Sequence, residues 1–368
     1  MTSVKWEACS RNPSGEHFAV VNLLFSSIEW TRPRNAAGVR HHVFDTYTRA
    51  FAAASFRVYP TRSFGHWLAQ SVYHAFRIGP SSVNVVTPGF PMLSAYLAQR
   101  VVRGARVVVH TWKVPGYTSR RWTARAYDCV LDDLIRKAVL VVVASRKQLA
   151  QMSERYPGVP VLFAPVTVDC QFWCPDAGRG EDAHRLSTLG VDRDGFVLTV
   201  GDSDRDEALG VEIAARLARC YVRVTKDKRQ VRRLRQAEEA IRPDERAKVL
   251  LDVSDEDLRA LYRAAYVVSL PTLTRTNPAG LSALTEAMAC GALVLAPEEL
   301  CGGYIVDQVS GVTFNVWDAG EVSRKMLQIT PDRLEAIRTE ARRMAMVELS
   351  SERVAANLRQ VLHEALNR

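Results

Sequence analysis

The sequence predicts an α/β protein built as two parallel-sheet units in tandem, and three observations carry that prediction. The chain has 368 residues, too long for one ordinary domain and suited to two, each large enough to bury its own core. Its apolar residues come in short β-branched runs, the pattern of strands buried on both faces of a parallel sheet. Those runs alternate with stretches of helical character, and the alternation starts afresh after a Pro- and Gly-punctuated break at 175–180.

In the first half, strands are expected at 17–25, 83–87, 106–110, 138–144 and 161–165, each a short apolar run. Helices are expected between and after them at 40–55, 64–77, 91–102, 127–137 and 146–156. In the second half, strands are expected at 195–201, 220–225, 248–252, 266–270 and 293–296. The last segment, 331–368, reads as one or two helices, including 333–349 and 352–367. Two Rossmann-like units follow, with facing carboxyl-terminal strand ends forming a cleft of the kind in which open α/β sheets bind ligands. The expected boundaries are 1–170 for the first unit, 171–345 for the second, and 346–368 for a C-terminal helix returning to the first.

Composition is that of a globular protein, with 47% hydrophobic and 24% charged residues. No apolar run reaches the roughly 18 residues of a membrane span. The N-terminal stretch carries charges on both sides of Trp6 and lacks the apolar segment of a secretory signal, so a cytoplasmic location is expected. Seven scattered cysteines agree with that, and no cluster has the spacing of a structural metal site, so no metal or cofactor is expected.

The net charge of +9 divides unevenly along the chain. Residues 1–168 hold 21 Lys and Arg against 8 Asp and Glu; the remainder holds 28 against 32. From Thr46 through Tyr127 there is no carboxylate. A field of one sign attracts anionic partners, whether phosphorylated molecules, nucleic acid or an acidic membrane surface, and also serves plain solubility. Phe64, Leu68, Val72 and Phe76 recur every four residues in this stretch. That stripe suits a core face or, in the carboxylate-free half, a membrane interface. The basic run from Lys226 to Arg235 lacks interleaved aromatics and is followed by four carboxylates, so it reads as a solvated helix face rather than a nucleic-acid strip.

The stretch Asn277-Pro-Ala-Gly-Leu-Ser-Ala-Leu-Thr-Glu-Ala-Met-Ala-Cys-Gly291 lies between two expected strands. Pro278 and Gly280 open a helix there, leaving its first N–H groups unpaired and suited to a phosphate. Glu286, nearly two turns on, suits the vicinal hydroxyls of a ribose. Taken alone, the spacing equally describes an ordinary strand–loop–helix unit with a surface glutamate.

This stretch, preceded by Ser254-Asp-Glu-Asp-Leu-Arg-Ala-Leu-Tyr-Arg-Ala-Ala-Tyr266, resembles the donor-site signature of glycosyltransferase family four. Four further segments match that family in order. Asn35-Ala-Ala-Gly-Val-Arg-His-His42 is similar to its glycine loop, and Val107-Val-Val-His-Thr111 to its histidine-bearing strand end. Ala164 through Pro175 is similar to its interdomain segment, and Val197-Leu-Thr-Val-Gly201 with Arg205-Asp206 to the start of its nucleotide domain.

The resemblance implies the GT-B fold and a retaining, metal-independent transfer of a sugar from a nucleoside diphosphate. It implies Glu286 at the donor ribose, the amides near Ala279, Gly280 and Leu281 at the distal phosphate, Gly38 approaching that phosphate, and His110 beside the transferring sugar. Two departures stand out. The acidic residue that many members carry eight positions before the ribose glutamate is here Pro278, with Asn277 beside it as a neutral substitute. The usual diphosphate-clamping Arg and Lys are off their common spacing, which leaves Arg205 and Lys226 as candidates; Arg205 reads equally as a surface residue paired with Asp204 or Asp206.

The expected partners are a nucleotide-sugar donor, a small-molecule, glycan or lipid acceptor, and an anionic membrane surface as a peripheral contact. Two alternatives stay open. One is a non-catalytic binding or scaffold protein on the same fold; the other is a nucleic-acid-binding protein using the basic half.

Overall fold

A computed structural model of the chain describes residues 21–25, 54–58, 83–86, 91–102, 104–111, 114–116, 122–175, 179–191, 195–201, 205–227, 247–273, 279–315 and 318–366. The chain divides into two compact units, one of residues 1–165 with 351–368 and one of residues 166–350. The expected helix at 64–77 lies outside the described residues, as does most of the basic run after Lys226.

The first unit holds β1 (Val21–Phe25), β2 (Ala54–Val58), β3 (Val83–Val86), β4 (Arg106–Thr111), β5 (Leu140–Val143) and β6 (Val161–Phe163). They form one parallel sheet in the order β2-β1-β3-β4-β5-β6. Strand β2 was not expected: residues 54–55 open a strand where the sequence suggested the end of a helix. Pairing in register with β1 over five residues settles the local ambiguity of Ala-Ser-Phe-Arg-Val.

Helices α1 (Pro91–Val101), α2 (Trp122–Arg136) and α3 (Arg146–Arg155) cover one face of this sheet. The side chains of Val107 and Val109 pack there with Leu131, Leu134 and Ile135 of α2. Ser145 caps α3 through a bond from the Gln148 N–H, the arrangement that satisfies an orphan amide of the first turn. The opposite face, with Val83, Val85, Val108, Leu140 and Val142, is covered by Val354, Ala355, Leu358 and Leu362 of the last helix, Ser351–Leu366. The C-terminal segment thus completes the core of the first unit.

The second unit begins with α4 (Arg179–Thr188), a helix not expected from the sequence. It continues with β7 (Val197–Val200), α5 (Glu207–Arg216), β8 (Tyr221–Thr225), β9 (Ala247–Leu251), α6 (Asp255–Ala264) and β10 (Val267–Ser269). Then come α7 (Leu281–Ala289), β11 (Val294–Pro297), α8 (Glu298–Cys301), β12 (Val312–Phe314), α9 (Ala319–Leu327) and α10 (Pro331–Val347), before α11 (Ser351–Leu366) crosses to the first unit. The three-residue β12 escaped sequence reading because it is too short to show a period.

The second sheet is also parallel, in the order β12-β11-β10-β7-β8-β9. The chain builds outward from β7 through β8 to β9, then returns to β10 on the other side. The β7/β10 boundary is therefore a topological switch point, where the loops leaving adjacent strands diverge and open a ligand crevice.

Three arginines fasten the connecting segment to this unit. Arg342 donates to the carbonyls of Trp173, Ala289 and Cys170. Arg263 donates to Cys174 O and pairs with both oxygens of Asp182. Arg259 donates to Phe172 O and lies 4.6 Å over the Phe172 ring.

Candidate functional site at the strand switch of the second unit

Two loops meet at the switch point. One follows β7 from Gly201 and the other follows β10 from Leu270. They are joined by an antiparallel bridge between Arg205 and Thr272 and by a bond from Asp206 N to Pro271 O of 2.8 Å. The side chain of Arg205 adds a third tie: Nε donates to Val200 O at 3.0 Å and Nη1 to Ala279 O at 3.4 Å. Arg205 is only 3% exposed, which corrects the reading of a surface residue; Asp204, one of its suggested partners, lies outside the described residues. A guanidinium spans both loops because its planar fork can address two carbonyls at once.

Glycine is required on both sides of that fork. Gly201 and Gly280 have φ of 120° and 104°, and a Cβ on either would sit 2.5 Å from Arg205 Nη2. Gly280 is also the N-cap of α7 and brings no side-chain hydrogen bond. The first intrahelical bond runs from Leu284 N to Gly280 O, so the N–H groups of Leu281, Ser282 and Ala283 have no partner within the helix. Backbone donors and helix dipole together suit an anion there.

Helix α7 is otherwise a core helix, with Leu281, Ala283, Leu284, Thr285, Ala287, Met288 and Ala289 buried. Glu286 is its one carboxylate. Oε2 accepts a bond of 3.1 Å from the hydroxyl of Tyr262 on α6. Desolvation pushes the Glu286 carboxyl up to about 8 despite that bond, with the charge of Asp255 adding to the rise. Tyr262 is wholly buried and packs edge-on to Trp173 at 5.7 Å, which packs edge-on to Phe172. The motif thus places the Glu286 carboxyl group on the same helix as a start whose first amides have no partner within the helix.

Of the other residues singled out in the sequence, Ala279, Gly280 and Leu281 lie at this helix start, while Gly38, Asn277 and Pro278 lie outside the described residues. Lys226 follows β8 in an exposed position, 4.0 Å from an equally exposed Asp252. His110 belongs to the first unit, near the end of β4, and burial lowers its pKa to about 4. Its imidazole is therefore neutral at physiological pH. Among the described residues, no group of three or more His, Cys, Asp or Glu is placed to hold a metal ion. No described helix is long and apolar enough to cross a membrane.

Sequence reasoning missed two residues of this region, Tyr262 and Arg223. An aromatic on an amphipathic helix reads as plain core. Arg223, by contrast, gave a signal that went unused: a lone charge inside the strand Tyr-Val-Arg-Val-Thr has to be paired or exposed.

Two parallel-sheet units of this kind, with the last helix rejoining the first, define the GT-B architecture. No family model and no curated protein matches the sequence; solved structures do. Sucrose-phosphate synthase from Thermosynechococcus elongatus is similar with a TM-score of 0.72 and 16% identity, covering 95% of this chain and 99% of that one. A glycosyltransferase from Rickettsia africae is similar at 0.70 and 12% identity, with 95% and 99% coverage. HepE of Anabaena, solved in complex with UDP and glucose, is similar at 0.70 and 14% identity, with 94% and 99% coverage. At these identities the likeness is one of fold, and function has to be argued from the site.

Proposed function

We propose that the protein is a glycosyltransferase that takes a sugar from a nucleoside-diphosphate sugar bound by its second unit. The observation that carries this reading is the α7 arrangement: the amides of Leu281, Ser282 and Ala283, which have no partner within the helix, then the Tyr262-held carboxyl of Glu286, at the β7/β10 switch point. An anion at the helix start and a diol at the carboxylate are the two recognisable parts of a nucleotide. Support comes from the fold shared with sucrose-phosphate synthase and with HepE, whose crystals hold UDP.

In this reading Glu286 holds the ribose, and the amides of Ala279, Gly280 and Leu281 hold the distal phosphate. Gly38 lets the first unit approach that phosphate, while Asn277 and Pro278 stand where the sugar is read. Arg205 and Lys226 offset the charge of the departing diphosphate, and His110 stands neutral beside the sugar. Transfer proceeds with retention and without a metal. The acceptor attacks from the face the diphosphate leaves, so no protein nucleophile is needed, and catalysis rests on placement and on stabilising the leaving group. The basic first unit favours an anionic acceptor, a glycan, lipid or small natural product, and a cytoplasmic site of action peripheral to an acidic membrane face.

The test is product formation from a panel of nucleoside-diphosphate sugars and cell extract, followed by mass spectrometry, with NMR of the product reporting the anomeric configuration. Glu286→Ala is expected to abolish transfer and leave the circular dichroism spectrum unchanged. Undiminished turnover in that variant sinks the site assignment.

A further inference from the structure

We propose that Arg223 is a positioning residue for the diphosphate, acting through the excess positive charge it maintains around Arg205 and without touching the ligand; the inference rests on the donor reading above. Arg223 is 0% exposed in the middle of β8. A guanidinium taken out of water is strongly unfavourable unless its donors are matched. Nε donates to Glu207 Oε1 at 2.8 Å, and Nη1 donates to Val224 O at 2.5 Å and Thr199 O at 3.5 Å. Nη2 is buried and has no hydrogen-bond partner among the described residues. The Tyr221 hydroxyl takes the second oxygen of Glu207 at 3.0 Å.

Glu207 is the first residue of α5, so these bonds fasten the helix start to β8. Two residues upstream, Arg205 donates to Val200 O, the carbonyl that follows the Thr199 O used by Arg223. Arg205, Glu207 and Arg223 are 3%, 5% and 0% exposed. Together they form a buried cluster of two cations and one carboxylate, carrying one excess positive charge directly behind Gly201 and Gly280. The field of Arg223 is felt at Arg205, whose pKa desolvation and that neighbouring cation together lower to about 10. A fixed excess charge in a poorly solvated place, set before ligand arrives, attracts phosphate far more than the same charge at the surface.

The cluster allows a charge series in the full-length chain. Arg223→Met takes its net charge to zero, Glu207→Gln raises it by one, and the double variant restores the original value. Calorimetry with UDP, GDP and ADP, and with the phosphate-free nucleosides, reads the effect. The expected result is diphosphate binding weakened about tenfold in Arg223→Met, undiminished in Glu207→Gln, and recovered to within about threefold in the double variant. Nucleoside binding stays the same throughout.

A double variant as weak as Arg223→Met, or equal losses for nucleoside and diphosphate, reduces Arg223 to packing and overturns the proposal. Should Arg223→Met fail to fold, weaker diphosphate binding by Glu207→Gln than by wild type overturns it instead. Wild-type protein that binds none of the diphosphates overturns the donor reading together with this inference. Wild-type binding with a flat series overturns this inference alone.

Discussion

The two sheets share parallel pairing and six strands, yet they bury different chemistry near the carboxyl ends of their strands. In the first unit, β4 and β5 contribute Val107, Val108, Val109, Leu140, Val141, Val142 and Val143, all buried and apolar, and the polar groups beside them, the buried Asn84 and Thr111 and the neutral His110, carry no charge. In the second, register pairs Thr199 with Arg223 and sets Ser269 beside Thr199, giving a buried polar row across β8, β7 and β10. Among the described positions, the sheet of the basic half therefore buries no charged side chain, and the mildly acidic half keeps two arginines inside. Net charge reports a surface field; a phosphate site is set by where a few charges are desolvated.

Three variants test that contrast by stability, from the largest expected loss to the smallest, and a fourth tests it by pH dependence. Leu358→Ala on α11 should cost about 2–5 kcal/mol, the range for a large-to-small change in a packed core. Amide exchange should show faster opening of β4 and β5 with β7 and β8 unchanged; equal loss in both units would mean that the units are not independent.

Exchanging one polar group in each sheet sharpens the comparison. Val142→Thr puts a hydroxyl among the aliphatic side chains of the first sheet and should cost about 1–3 kcal/mol for an unpaired buried group. Thr199→Val removes the donor that bonds Ser269 O at 3.1 Å and should cost only about 1 kcal/mol. Denaturant titrations of both variants read the two values, and the reverse order would show that the polar row, not the apolar one, is the more tightly packed.

The fourth test is on pH dependence. The folded-state pKa of Glu286 is raised to about 8, above its unfolded value, so the folded protein keeps a proton that the unfolded chain loses. Its contribution to stability is therefore unfavourable and grows as pH rises from the ordinary carboxylate range toward 8. Glu286→Gln should flatten that slope in urea titrations between pH 5 and 8, and an unchanged slope would mean that the carboxyl is already ionised at neutral pH.

Most of the fold was legible along the chain because buried parallel strands are written as β-branched runs with helices between them. The exceptions have local causes. Ala-Ser-Phe-Arg-Val at 54–58 has no strong period, and only its pairing with β1 makes it a strand. At the site, Glu286 and Gly280 were readable because a helix start with a carboxylate further along is a contiguous pattern. Tyr262 stands 24 residues from Glu286 and Arg205 stands 74 from Ala279. No local signal reports such pairs.

The sequence by itself determined the succession of strands and helices, the uneven charge of its halves and the glycine-led opening of α7, since each follows from composition or spacing within a short window. Tertiary structure alone decided which strands adjoin, and hence that β7 and β10 form the switch point. It also decided that Arg205 lies inside, where two glycines leave room for its guanidinium, and that Arg223 of β8 meets Glu207 at the start of α5. The physical reason is desolvation: whether a charge is a surface residue or part of a site depends on how much water its neighbours exclude, and those neighbours come from distant parts of the chain.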